Sequence, residues 1–176
     1  MPSAELKKPE EARESADLRL LRAMRTRGHT PELEGAVKAL GKAGNNGAVW
    51  VALGIALALL DPDQRESWLI CVALGPIAIV LNYGIKLLVK RPRPVLEGLP
   101  PLGGAPSSLS FPSAHALSSF AVATAMFRVD PATAGALVVA LAISLCRPYL
   151  GMHYPSDVLA GALLGIALGL IVPLSI

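Results

Sequence analysis

Five apolar runs, free of acidic and basic side chains apart from one histidine, constrain the fold of this chain most strongly. They span residues 43–60, 67–85, 111–127, 131–146 and 158–176. Several are near or slightly below the roughly 17 residues that cross a bilayer core, so their polar ends must lie at the interface. A soluble helical bundle is the alternative, but its helices would have polar faces, and these runs have almost none. The chain is therefore predicted to be an all-α integral membrane bundle of about five transmembrane helices.

Residues 1–42 differ from the rest of the chain because they carry mixed charge and no continuous apolar run. No secretory signal peptide is expected in them. Thr30 followed by Pro31 predicts a helix start, with threonine as N-cap and proline at the first helical position. These observations divide the chain into a polar N-terminal region of interfacial helices, residues 1–42, and a transmembrane domain, residues 43–176.

An earlier stretch of this region combines apolar and basic positions in a pattern typical of an amphipathic helix on an anionic membrane surface. An ordinary solvated charged helix is the alternative. The residues concerned are Leu18, Leu21, Met24, Arg19, Arg22 and Arg25. We assign no role to His29, which lies in the connection to the next helix.

A polar cluster interrupts the apolar sequence near the C-terminus: Arg147, His153 and Asp157. On a helix, residues four apart are neighbours, so Asp157 can orient one ring nitrogen of His153 and leave the other as a base or nucleophile. Taken alone, the same pair could equally be a helix-surface ion pair or a pair of metal ligands.

Two further segments add cations and a second histidine. Lys86 and Arg93-Pro94 supply positive charge at the end of an apolar run, and Pro112-Ser113-Ala114-His115 marks a helix start. In this order and spacing, the three segments resemble the type 2 phosphatidic acid phosphatase superfamily. Its pattern is Lys, six residues, Arg-Pro; then Pro-Ser-Gly-His; then Ser-Arg, five residues, His, three residues, Asp. The chain departs from it at Ala114 (usually Gly) and Cys146 (usually Ser), and neither change removes a catalytic group.

The resemblance implies a metal-free, cofactor-free phosphatase that works through a phosphohistidine. Phosphate binding is then expected from Lys86, Arg93, Arg147, Ser113 and the backbone N–H of Ala114. His153, oriented by Asp157, is expected to attack phosphorus, and His115 to protonate the leaving group. The fixed cations are expected to replace a metal ion. Net charge, +3 in total, comes partly from these groups and does not indicate nucleic acid binding.

The segment 91–112 is rich in proline, glycine and serine, and we expect it to cover the site as an irregular cap. Its leucines either contact a lipid chain or pack the segment onto the protein. Cys71 and Cys146 are expected to be buried, without a disulfide. Gly161, Gly165 and Gly169 predict close helix packing within the chain, because the stripe is continuous with His153 and Asp157; a homodimer through the same stripe is the alternative.

The predicted function is hydrolysis of a lipid phosphate in the membrane, with a polyprenyl-linked phosphomonoester or diphosphate as the preferred substrate. Phosphatidate or phosphatidylglycerophosphate is the alternative substrate. A haloperoxidase and a non-catalytic protein that binds or moves lipids are the competing classes. Basic residues near the first apolar run place the N-terminus and the site in the cytoplasm under the positive-inside rule.

Overall fold

The computed structural model describes residues 15–104 and 109–175, and all regular structure in these ranges is helical. The seven α-helices are α1 (Ala16–Thr26), α2 (Pro31–Ala43), α3 (Ala48–Leu60), α4 (Arg65–Val89), α5 (Ala114–Val129), α6 (Gly135–Tyr149) and α7 (Pro155–Ile171). Short 3₁₀ turns precede α3, α4 and α6 at Asn45–Gly47, Pro62–Gln64 and Pro131–Ala134. Residues 1–14, which belong to the predicted N-terminal region, lie outside the described residues.

Helix α5 is the centre of the bundle and packs against α4, α6 and α7. Ten of its sixteen residues are buried, and most are small, such as Ala121 and Ala123. Small side chains let three neighbouring helices approach one central helix closely. Larger side chains, including Trp50, Trp68 and Met126, fill the core around α5. Cys71 and Cys146 are free and buried, as predicted.

The glycine stripe of α7 lies directly against α5. A Cβ atom at Gly161, Gly165 or Gly169 would come within 2.4–2.6 Å of a backbone carbonyl oxygen of α5 or of its N-cap Ser113. Only glycine permits this approach, because a real side chain cannot occupy that distance. The predicted intrachain packing is confirmed. Homodimerisation through the same stripe stays a prediction, and the burial of these glycines within one chain does not support it.

The outer surface of the bundle is apolar, as expected of helices that face lipid. Large apolar side chains are exposed on every α-helix, most of them on α3, α4, α6 and α7, among them Leu60, Val80, Leu88, Val138 and Leu159. Two helical stretches, Pro62–Val89 and Pro131–Tyr149, are long and apolar enough to cross a membrane. Helices α2 and α3 together form a third candidate that is bent by 61°.

The remaining predicted spans are shorter. Helix α7 is apolar but has 17 residues, and α5 has 16 and is mostly buried inside the protein. The all-helical membrane fold is thus confirmed, whereas the number of five spans stays a prediction.

The N-terminal helices α1 and α2 pack against α6, and α1 also contacts α7. Leu21 is fully buried, and Arg25 donates to the carbonyl oxygen of Pro100 at 2.8 Å. The apolar side of α1 therefore packs on protein, and its predicted contact with anionic headgroups remains a prediction without support from this packing. Helix α2 begins as predicted, because the hydroxyl of Thr30 accepts from the N–H of Leu33 at 3.2 Å.

Candidate active site

The predicted site residues converge at one end of the bundle. Here α4 and α6 end and α5 and α7 begin, and the irregular segment between α4 and α5 lies against them. That segment is held in place by hydrogen bonds. Leu102 N–H donates to the Leu150 carbonyl oxygen at 2.9 Å, and Ser110 N–H donates to that of Arg91 at 2.9 Å. Leu96 is buried, so at this leucine the segment packs onto the protein rather than facing lipid. Of the predicted cap, residues 105–108 lie outside the described part.

Three cations face this end of the bundle from three elements. Lys86, in the last turn of α4, is 8% exposed and donates to the carbonyl oxygen of Leu109 at 2.8 Å. Arg93, in the segment after α4, donates through Nη1 to the carbonyl oxygen of Met152 at 2.6 Å. Arg147, in the last turn of α6, is 6% exposed, and its buried Nε makes no hydrogen bond to any described residue. Three nearby positive charges form a site suited to a phosphate dianion.

His153 is almost fully buried, and its two ring nitrogens face different partners. Nε2 lies 3.3 Å from Nη1 of Arg93, and Nδ1 lies 3.5 Å from Oδ2 of Asp157. Because an arginine N–H can only donate, Nε2 must carry the lone pair and Nδ1 the proton. The lone pair therefore points towards the cations, which is the orientation that a nucleophile requires.

The contact between His153 and Asp157 is longer than an ordinary hydrogen bond. Both oxygens of Asp157 already accept shorter bonds: Oδ1 from Nη1 of Arg91 at 2.7 Å and Oδ2 from the N–H of Tyr154 at 2.9 Å. Catalytic hydrogen bonds are often long in the absence of substrate and shorten in the reactive complex.

The predicted placement of this pair on one helix was wrong. Pro155 is the first residue of α7, so His153 lies in the connection before the helix and Asp157 in its first turn. Proline is favoured at the first helical position, because the N–H that it lacks would have no partner within the helix there. The helix therefore starts at Pro155 and not earlier.

Burial lowers the pKa of His153 to about 4, with the charges of Arg93 and Arg147 acting in the same direction and Asp157 opposing them. The ring is therefore neutral at pH 7, and its lone pair is available for attack on phosphorus. Burial also lowers the pKa of Arg93, and the nearby Asp157 only partly offsets this. Arginine stays charged at neutral pH in any case.

Ser113 is the N-cap of α5 and is fully buried. Its hydroxyl oxygen accepts from the N–H of Ala116 at 3.5 Å, and its own N–H donates to the carbonyl oxygen of Asp157 at 3.0 Å. The second bond ties the start of α5 to the first turn of α7. Ala114 is the first residue of α5 and has a helical backbone, so its side chain causes no strain at the position usually held by glycine.

His115 follows on the first turn of α5 and is half-buried. Its Nε2 lies 3.0 Å from Oδ1 of Asn45, in the 3₁₀ turn before α3. The two residues line a small cavity of about 120 Å³. His115 also lies within electrostatic range of Arg147 and His153. This placement brings His115 near the cations of the site. Among the described residues, no group of three or more histidine, cysteine, aspartate or glutamate side chains could hold a metal ion.

A family model named PAP2 superfamily matches residues 66–176, which include every element of the site except Asn45 and the N-terminal helices. The chain belongs to the PAP2 superfamily. The resemblance predicted from the three motifs is confirmed.

Relatives of this PAP2 protein include two decaprenylphosphoryl-5-phosphoribose phosphatases. The chain is 42% identical to that of Mycolicibacterium smegmatis over 124 residues, which is 70% of this chain and 68% of the relative. It is 38% identical to that of Mycobacterium tuberculosis over 144 residues, 81% of this chain and 80% of the relative. The predicted similarity to the polyprenyl-linked branch is thus confirmed.

The fold is similar to the crystal structure of a transmembrane PAP2 type phosphatidylglycerolphosphate phosphatase from Bacillus subtilis. The two chains superpose with a TM-score of 0.70 at 25% identity, covering 92% of this chain and 84% of the other. The helical bundle of this PAP2 protein is therefore shared with a membrane phosphatase of known structure.

Sequence reasoning missed one cation of this PAP2 site, Arg91. Its Nη1 donates to Asp157 and to the hydroxyl of Ser156, both at 2.7 Å, and its Nη2 donates to Asp17 of α1 at 2.7 Å. Its guanidinium also lies 3.8 Å from the centre of the Tyr154 ring. The side chain thus neutralises the buried carboxylate that faces His153. Arg93 was predicted because it matches the pattern of Lys, six residues and Arg-Pro, whereas no local pattern singled out Arg91.

Asp17 was missed for the same reason. Besides the bond from Arg91, it accepts hydrogen bonds from the N–H and the hydroxyl of Ser156. Burial alone would raise the pKa of Asp17, but the bonds from Ser156 and Arg91 outweigh it and hold the pKa below its ordinary value. Asp17 is therefore ionised at neutral pH, and it anchors α1 to the start of α7, next to the site.

Proposed function

We propose that this PAP2 protein is a membrane lipid phosphatase in which His153 forms a phosphohistidine with the phosphate of a polyprenyl-linked lipid. The observation that carries the proposal is the orientation of His153, whose Nε2 faces Arg93 while Nδ1 faces Asp157. The decaprenylphosphoryl-5-phosphoribose phosphatase relatives support the substrate class.

In the first step, Nε2 of His153 attacks phosphorus, and the P–O bond to the leaving group breaks. His115 gives a proton to the departing oxygen, so that an alcohol or a phosphate leaves. Asp157 stabilises the positive charge that develops on the imidazole ring. Lys86, Arg93 and Arg147 neutralise the charge that spreads over the equatorial oxygens of the transferred group.

In the second step, a water molecule attacks the phosphorus of the phosphohistidine and gives a proton to His115. The P–N bond breaks, the electron pair returns to Nε2, and inorganic phosphate leaves. Both histidines then return to the starting state. Ser113 and the first N–H groups of α5 add neutral donors at a helix N-terminus, where an anion is favoured. The fixed cations carry the charge compensation that a metal ion supplies in other phosphatases.

Hydrolysis by the detergent-purified protein tests this function. We expect phosphate release from a polyprenyl-linked phosphomonoester or diphosphate, faster than from phosphatidate or phosphatidylglycerophosphate. The rate should be unchanged by EDTA, and vanadate should inhibit because its trigonal-bipyramidal form resembles the transition state. Strict Mg²⁺ dependence would contradict the metal-free mechanism. Lipid binding without phosphate release would favour a non-catalytic lipid-binding protein.

We also propose that the site faces the cytoplasm. The N-terminal helices, with Arg27 and Lys42, pack at the end of the bundle that holds the site. At the opposite end, Arg65 caps the end of α3 and Arg128 binds the last turn of α7. We leave the catalytic cations out of the positive-inside rule, because their place is set by chemistry. The N-terminal basic residues alone still favour the cytoplasm for this end of the bundle. A cytoplasmic site suits a biosynthetic polyprenyl-phosphoryl-phosphoribose substrate.

Cysteine labelling in intact cells measures this orientation. In a background without Cys71 and Cys146, single cysteines replace Val95, which is 83% exposed beside the site, and Asp63, which is exposed at the opposite end. A membrane-impermeant maleimide should label position 63 and leave position 95 unlabelled until the cells are lysed. The reverse pattern would contradict both the orientation and the biosynthetic substrate.

A further inference from the structure

A cavity of about 410 Å³ lies between α2 and the irregular segment after α4, with Arg147 in its wall. Its volume falls in the range of small-molecule sites, so it has room for a group larger than a single phosphate. The lining residues are Lys38, Gly41, Lys42, Asn45, Leu102, Gly103, Gly104, Arg147, Leu150 and Met152.

The cavity connects directly with the catalytic residues. The Cβ position of Gly41 lies 3.8 Å from Nη1 of Arg147, so α2 passes immediately beside the guanidinium group. Asn45, at the other end of the lining, contacts His115. A substrate whose phosphate lies among the catalytic cations can therefore extend the rest of its headgroup into this cavity.

The lining is strongly cationic. Lys38 and Lys42 are four residues apart on α2 and both line the cavity, and the described lining contains no aspartate or glutamate. Arg147 adds a third positive charge, and its buried Nε has no hydrogen-bond partner among the described residues. The lysines are additional to the three cations that compensate the scissile phosphate. Their charge makes this side of the cavity suited to a second anion.

The two lysines differ in how far that charge is already compensated. Nζ of Lys38 lies 3.5 Å from Oε2 of Glu34, and Glu34 also contacts His29. Lys42 forms no ion pair with a residue in the described ranges, which omit 1–14 and 105–108. Lys42 is thus the more available of the two cations for binding an anion, and Lys38 adds a second, partly compensated positive charge.

We propose that Lys38 and Lys42 form a second anion subsite, which binds a phosphodiester in the same headgroup as the scissile phosphate. This inference rests on the proposed lipid phosphatase function and adds a specificity to it. A substrate that carries a phosphomonoester and, further along, a phosphodiester places one anion among Lys86, Arg93 and Arg147 and the other against α2. A lipid with a single phosphate leaves the lysines unoccupied and binds less tightly.

The test uses two matched compounds, farnesyl-phosphoryl-ribose 5-phosphate and farnesyl riboside 5-phosphate. Both have the same scissile phosphate and prenyl chain, and the second lacks the phosphodiester. Dissociation constants are measured by calorimetry in neutral detergent micelles, with proteins that carry His153→Ala so that turnover does not enter. KM values are measured with proteins that retain His153.

The double substitution Lys38→Gln/Lys42→Gln should raise the dissociation constant for the phosphodiester compound by roughly tenfold, the combined effect of two partly exposed ion pairs. It should leave the riboside unchanged, and high salt should reduce the difference. Lys90→Gln is the matched control, because Lys90 is exposed at the same end of the bundle and does not line the cavity. It should alter neither constant.

Equal effects on both compounds, or no effect on either, would overturn the subsite. If the double substitution affects neither compound in neutral micelles but weakens binding in micelles that contain anionic lipid, the lysines bind membrane headgroups instead. Selective binding without hydrolysis by the protein that retains His153 would keep the subsite and reject the proposed phosphatase function.

Discussion

His153→Ala should lower turnover by roughly 10⁴-fold or more, because it removes the nucleophile from a group of residues that act together. Asp157→Asn should lower it by about 10²- to 10⁴-fold, the usual range for an orienting or acid–base group. The asparagine keeps the shape of the side chain but loses the charge that faces both His153 and Arg91. The measurement is phosphate release at saturating substrate.

His29→Gln is the matched control, since the chain has three histidines and His29 contacts Glu34, Met24 and Tyr149 rather than the site. This variant should retain most of the turnover. Thermal unfolding in detergent shows whether each variant is folded. Near-normal turnover by folded His153→Ala would contradict the covalent mechanism, whatever the effect of Asp157→Asn.

Gly165→Ala should destabilise the protein by about 3 kcal/mol, the upper end of the range for overpacking. The new Cβ would lie 2.4 Å from the carbonyl oxygen of Leu117 and 3.0 Å from the N–H nitrogen of Ala121. Both atoms belong to the backbone of α5, so the strain cannot be relieved by a side-chain rotation, and α7 must move away. The separation also displaces Asp157 from the start of α5, so activity should fall. Thermal unfolding in detergent measures the loss of stability.

Gly84→Ala is the control for this substitution. Gly84 lies on α4 and is exposed, and a Cβ there meets nothing within 4 Å. Alanine should be neutral or stabilising at this position, by up to about 1 kcal/mol, because it favours a helix more than glycine does. A Gly165→Ala variant as stable as wild type but altered in oligomeric state would contradict the intrachain packing and favour the homodimer.

Local patterns predicted much of this fold because membrane helices and their ends leave strong sequence signals. Each of the five apolar runs coincides largely with one helix, from α3 to α7, and the Thr30-Pro31 start is correct. The stripe of Gly161, Gly165 and Gly169 was correctly assigned to contact within the chain, because small residues at helical spacing allow close packing. The helix start at Pro112-Ser113-Ala114-His115 was also predicted, and α5 begins at Ala114 with Ser113 as its N-cap.

Tertiary contacts explain what the sequence did not reveal. Arg91, Asp17 and Asp157 meet although they are at least 66 residues apart along the chain, and no spacing rule predicts that contact. Helix α1 has a charge pattern typical of a membrane surface, yet its Leu21 is fully buried in a helix that packs against α6 and α7. Two local signals made different predictions for the start of α7. The i,i+4 spacing of His153 and Asp157 predicted a helix that includes both, whereas Pro155 predicted a start at the proline, which is where the helix begins.

Rapid quenching in alkaline detergent during turnover of a lipid substrate labelled with ³²P in its scissile phosphate tests the central claim most directly. The wild-type protein should carry label that is lost in acid and stable in alkali, as expected of a phosphohistidine. Peptide mapping under alkaline conditions should place it on His153, and His153→Ala should carry none. An unlabelled wild-type protein that turns over normally, or label on another residue, would contradict the account.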